Sequence, residues 1–213
     1  MAIKRSPLLQ LSFIFFAFIT EQSPAANTPV LDFTGEVVLT GTEYYILTTS
    51  QLPARTCSGL SLFNGKTSTC PLNVIQEQLE FQKGAPLIFS HGQGGVVYES
   101  LHLNIKFSAL ESVCNQSTVW RIGGFDSSTG QWFVTGGGVE GDQCLGVETR
   151  LSWFKIEKAS AHAYKIAHCP LGCESFVSMC MDVGIYLGGG VRHLALSQTP
   201  LSVVFIKGSV NNK

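Results

Sequence analysis

Charge is scarce in this chain, and that scarcity removes whole classes of function. Only 14% of the 213 residues are charged and the formal net charge is -1. No long-range field exists to draw in phosphate backbones or anionic lipid, so neither nucleic acid nor a membrane surface is an expected partner. Histidines are few and dispersed. His91, His102, His162, His168 and His193 sit in no recognisable motif with a nucleophile or an acid, so the sequence is not expected to encode an enzyme and implies no cofactor. Beyond the N-terminal leader, each hydrophobic patch is broken within a few residues by Gly, Ser, Asn or charge, which excludes a later transmembrane helix. The triplets Gly136–Gly138 and Gly188–Gly190 lead into no helix and no Lys-Ser/Thr pair, and therefore read as hairpin turns, not phosphate cradles.

What is present begins with a leader. Lys4 and Arg5 form a basic start, Leu8 to Ile19 an apolar run too short to span a bilayer, and Ser23, Ala25 and Ala26 a small-residue cleavage region. Residues 1–26 are expected to be a removed signal peptide and residues 27–213 one secreted domain. The seven cysteines fit the oxidising route: Cys57, Cys70, Cys114, Cys144, Cys169, Cys173 and Cys180 suggest disulfides before metal ligands. The Cys169–Cys173 run CPLGC lacks a partner pair and a downstream His at finger spacing, so no metal is expected. An odd count leaves at least one thiol without an intramolecular partner. A monomer is expected, with a disulfide-linked dimer as the open alternative.

Helical periodicity is also lacking. Short runs of aromatic and β-branched residues recur instead: Glu43 to Thr48, Pro86 to Phe89, Leu101 to Phe107, Thr118 to Ile122, Trp132 to Thr135, Leu151 to Ile156, Tyr164 to Ala167, Gly184 to Leu187, His193 to Leu196 and Leu201 to Ile206. Gly, Ser, Asn and Asp turns separate them, a pattern of many hairpins in a barrel or sandwich. Leu101, Leu103, Ile105 and Phe107 alternate with His102, Asn104 and Lys106, placing one face inward and the other in solvent. The fold class is all-β. Three stretches of roughly 55 to 60 residues, each with several strands, form a weak repeat signal.

Several sequence landmarks follow one another in a set order along the chain. The opening VLDFTGEVVLTGTEYYIL carries an aliphatic-x-Asp-x-x-Gly pattern at Leu31, Asp32 and Gly35, followed by paired tyrosines. CPLNVIQ at Cys70–Gln76, STVWRI at Ser117–Ile122, WFVTGGGVEG at Trp132–Gly141, SWFKIEK at Ser152–Lys158, YKIAHCP at Tyr164–Pro170, CMDVGIY at Cys180–Tyr186 and RHLALS at Arg192–Ser197 continue it in order. In order and spacing these landmarks resemble the soybean-trypsin-inhibitor-type Kunitz family, and within it the text is most similar to the miraculin-like branch. The resemblance implies a β-trefoil of twelve strands, a pseudo-threefold barrel with a hairpin cap, and protease inhibition as the commonest activity. A target protease of uncertain class is then the implied partner, with a non-inhibitory defence, storage or receptor-binding role as the alternative.

The resemblance also implies disulfides Cys70–Cys114 and Cys169–Cys180. A third bridge, between Cys57 and Cys144, stays open. The reactive loop is implied between Ser90 and Ser100, at Gly92, Gln93, Gly94, Gly95 and Val96, with Gly94 at the specificity position. A substrate-like inhibitor docks tightly when such a loop is already extended and rigid. Here no Arg or Lys lies between Gly84 and Lys106, so trypsin is an unexpected target. Thr40 stands where the family often has a loop-propping Asn, and its single hydroxyl offers fewer bonds. The Gln51–Lys66 segment, with Arg55 and Lys66, is an alternative binding loop. Asn115-Gln116-Ser117 is a glycosylation sequon. Trp120, Trp132 and Trp153 are expected to pack the barrel or its lids. A sugar-binding trefoil is the weakest reading, because only the adjacent Gln131-Trp132 is present where lectin trefoils repeat Gln-x-Trp.

Overall fold

The computed structural model describes residues 28–49, 56–63, 70–92, 94–108, 114–142, 144–170 and 180–208. The elements run β1 (Tyr44–Thr49), β2 (Thr56–Leu62), β3 (Val74–Gln76), β4 (Leu87–Ser90), β5 (His102–Phe107), β6 (Arg121–Asp126) and β7 (Gln131–Thr135). A single helical turn α1 (Val147–Arg150) follows, then β8 (Phe154–Ser160), β9 (Ala163–His168), β10 (Met181–Gly188), β11 (Val191–Ser197) and β12 (Val203–Lys207).

All strand pairs are antiparallel, and six of them close a ring. Strand β1 pairs with β4, β4 with β5, β5 with β8, β8 with β9, β9 with β12, and β12 returns to β1. Closure removes the open edges that would otherwise invite pairing with another chain. The remaining strands form the hairpins β2–β3, β6–β7 and β10–β11, and β11 joins β3 to β7. The same order of barrel strand, hairpin, barrel strand thus occurs three times, which is the β-trefoil with its pseudo-threefold barrel and hairpin cap.

Alternation drives the packing. Along β5, Leu103, Ile105 and Phe107 are buried, as are Leu87 and Phe89 of β4. The barrel centre is aromatic: Phe89 meets Phe205 edge-on with centroids 5.4 Å apart, and Trp120 meets Phe154 at 6.0 Å. Trp120 and Trp153 are buried as expected, whereas Trp132 is not.

Two strands have no counterpart in the sequence reading. Thr56–Leu62 forms β2, so the expected Gln51–Lys66 loop is interrupted by sheet; Arg55 and Lys66 lie outside the described residues. Gly59 is why the strand fits here, since a Cβ at this position would stand 1.8 Å from the Lys83 carbonyl oxygen. Its amide donates to Gln82 O at 2.7 Å. The other, Val74–Gln76, is three residues long and pairs with both β2 and β11.

Candidate functional site

The opening motif has a clear local cause. The buried Asp32 Oδ1 accepts from Thr34 N at 2.9 Å, Thr34 Oγ1 at 2.7 Å and Glu36 N at 3.0 Å, and Gly35 closes the turn at φ 86°. The returning chain lies beside the first: Val38 N donates to Val30 O at 2.8 Å, and Leu39 N donates to Tyr44 Oη at 3.0 Å. Thr40 arrives directly behind the segment that joins β4 to β5.

That segment starts at Ser90 and carries the candidate residues. Gly92, Gly94 and Gly95 are exposed, Val96 is half-buried and bridges Leu39, and Gln93 lies outside the described residues. Gly94 N donates to His91 O at 3.1 Å, which makes a turn. Gly95 is clamped twice by Thr40: its amide donates to Thr40 Oγ1 at 2.7 Å, and its carbonyl accepts from Thr40 N at 2.8 Å. The hydroxyl therefore does prop the loop, with one side-chain bond supplemented by the backbone. His91 Nε2 lies 3.2 Å from Val96 O and closes the base.

The backbone at the tip is left-handed. Gly94 has φ 63° and Gly95 φ 90°, a region that L side chains occupy only at a cost. A protease cleft accepts an extended strand, whereas Gly94 and Gly95 make the tip of this loop a turn.

A second support comes from a residue that sequence reasoning passed over. Glu140, on the segment after β7, accepts from the Ser90 hydroxyl and, through Oε2, from Lys106 Nζ at 2.9 Å. Partial burial alone would raise its carboxyl, but the Ser90 hydroxyl and the Lys106 ammonium outweigh this and hold it below the usual carboxylate range. Its contribution was hidden because Ser90 is fifty positions away in the chain. Between this segment and the loop lies a cleft of about 590 Å³, lined in part by His91, Asn104, Asp142 and Trp153.

The cysteines fall into three groups. Cys70–Cys114 and Cys169–Cys180 are disulfides in the structure, which takes Cys169 out of any CPLGC metal site. Cys144 is also disulfide-bonded. The Cys57 side chain and Cys173 lie outside what is described, so the Cys57–Cys144 pairing does too. Asn115 is exposed beside the buried Cys114. Among the described residues, no helix is long and apolar enough to cross a membrane.

Comparison with known proteins agrees with this arrangement. The legume-type Kunitz profile, described as trypsin and protease inhibitor, matches residues 30–207. Kunitz trypsin inhibitor 5 from Arabidopsis thaliana is 39% identical over 94% of this chain and 97% of its own length. Miraculin from Synsepalum dulcificum is 38% identical over 96% and 98%. Among solved structures, the Kunitz-type cysteine protease inhibitor PCPI-3 from potato superposes with a TM-score of 0.70 at 31% identity, covering 88% of this chain and 100% of that one. The chain belongs to the Kunitz family of trypsin and protease inhibitors.

Proposed function

We propose that this protein is a secreted Kunitz-type inhibitor that engages a protease other than trypsin through the exposed loop around Gly92–Val96. The observation that carries the selectivity is the tip itself: two left-handed glycines, with no Arg or Lys between Gly84 and Lys106. A trypsin-like specificity pocket would find no ammonium or guanidinium to pair with its buried carboxylate. A pocket that takes small or apolar groups is not penalised in this way. Secretion follows from the leader at residues 1–26, and the exposed Asn115 is the position for an N-glycan.

Family membership supports inhibition of either a serine or a cysteine protease, since the relatives include inhibitors named for trypsin and for cysteine proteases. The test is an inhibition panel across both classes using the mature secreted protein. Measurable inhibition of a non-tryptic protease, with trypsin at least about a hundredfold weaker, is the expected result, corresponding to roughly 2.7 kcal/mol of lost recognition. Tight trypsin inhibition would refute the reading.

The left-handed tip also favours a second reading, a non-inhibitory defence, storage or receptor-binding protein. A panel with no inhibition of any protease decides for it.

A further inference from the structure

Of the three tryptophans, Trp120 and Trp153 are buried and Trp132 is 43% exposed. Its ring stands against Phe125, itself 54% exposed, with centroids 5.4 Å apart and planes at 46°. The two are direct cross-strand partners on the β6–β7 hairpin, where a register shift between Ile122 and Phe125 sets the pairing. Two large apolar side chains that each leave about half their surface in water forgo much of the stabilisation that burial would bring. The core does not require them, because neither belongs to it.

Their surroundings define what would fit. Beyond the pair the hairpin tip reads Asp126-Ser127-Ser128-Thr129-Gly130-Gln131, a run of hydroxyls, an amide and one carboxylate. Asp126 Oδ1 accepts from Ser128 N at 2.8 Å and Ser128 Oγ at 2.6 Å, which fixes the turn. At Gly124, next to Phe125, an added Cβ would meet nothing within 4 Å, so the approach is open. No Lys or Arg occurs from Ile122 to Thr135, and Arg121 is engaged by Glu148. An anionic ligand would therefore find a carboxylate and no cation.

An aromatic face beside neutral donors and acceptors matches the two sides of a pyranose ring, whose axial C–H groups stack on an aromatic face while its hydroxyls exchange hydrogen bonds at the rim. We propose that the Phe125–Trp132 pair at the tip of the β6–β7 hairpin is a binding site for a neutral saccharide. The site is separate from the protease-facing loop. Each hairpin is inserted at the end of the ring where β1, β5 and β9 leave it, whereas the β4–β5 connection lies where one barrel strand passes directly to the next.

Trp132 is the only exposed tryptophan among the three, so indole emission reports the site directly. The experiment titrates the mature protein with neutral cello- and chito-oligosaccharides and with dextran sulfate, follows fluorescence and calorimetry, and screens a neutral-glycan array. Binding of at least one neutral glycan with a change in emission is expected. Trp132→Ala should weaken it about tenfold or more, Phe125→Ala less, and Trp132→Tyr should retain it, because a ring face is kept. The proposal is overturned if the wild-type protein binds no neutral glycan, if it binds only dextran sulfate, or if folded Trp132→Ala binds as the wild type does. Should Trp132→Ala not fold, unchanged binding by Phe125→Ala together with Trp132→Ser overturns it equally.

Discussion

At single residues, the chemistry divides into groups that shape the backbone and groups that titrate. Asp32 belongs to the first kind. Its one carboxylate oxygen closes a turn with three donors, two of them backbone amides. Asp32→Ala leaves those amides without their partner, and a loss of about 1–3 kcal/mol is expected, read as a lower urea midpoint. Gly94 is also a backbone position. Gly94→Arg would supply the cation that a trypsin pocket needs, and its Cβ would meet only Thr40 Oγ1, at 3.8 Å. The left-handed φ of 63° opposes it by roughly 1–2 kcal/mol. The expected outcome is a gain of trypsin inhibition over the wild-type protein that remains weak. A folded variant with no gain would show that the specificity position lies elsewhere. His168 titrates. It is buried, its Nε2 has no hydrogen-bond partner among the described residues, and burial pushes its pKa down to about 4.

The loop that joins β4 to β5 is an element held from two sides, by Thr40 at the tip and by Glu140 at the base. Thr40→Val keeps the volume but removes the oxygen that accepts from Gly95 N. Faster hydrogen exchange at the Gly95 amide is the expected result, by about five- to tenfold, with global stability little changed, since the loss is one exposed hydrogen bond. Unchanged exchange would mean that Thr40 N and Gly95 O hold the tip alone. These elements were unequally legible in the sequence. Strands such as Leu101–Phe107 announced themselves by alternation, and the Asp32 and Gly35 positions by a motif with a local hydrogen-bond cause. Strand β2 did not, because TCSGLSL is small, polar and interrupted by a glycine. Its reason for being sheet is tertiary: Leu60 and Leu62 are buried, and the backbone of Lys83 passes against Gly59. The handedness of Gly94 and the reach of Glu140 were invisible for the same cause, since both depend on chain segments far apart in sequence.

Across the whole molecule, ring closure and cross-links act on the same object, a barrel whose last strand returns to its first. The disulfides Cys70–Cys114 and Cys169–Cys180 span 44 and 11 positions. Chain entropy credits such loops with roughly 4 and 3 kcal/mol as upper values. Peptide mapping without reduction should recover both pairs, and reduction should lower the melting temperature more when Cys70–Cys114 is opened. Acid acts on the barrel through its histidines. His168 and His102 are both pushed down to about 4 from 6.5, His168 by burial, His102 by burial and then by Lys155. In the unfolded chain both take up protons near pH 6.5, before the folded protein does. Between about pH 6.5 and 4 the unfolded state therefore binds more protons, and stability falls as pH falls. Within that window a fully buried histidine contributes up to about 1.4 kcal/mol per pH unit. His102 is half-exposed and contributes less. His168→Phe keeps a ring beside Phe154, whose centroid lies 5.5 Å away, and removes the titrating nitrogen. Its melting temperature should change less than that of the wild-type protein between pH 6.5 and 4. Parallel pH profiles for the two proteins would show that His168 does not carry the acid sensitivity.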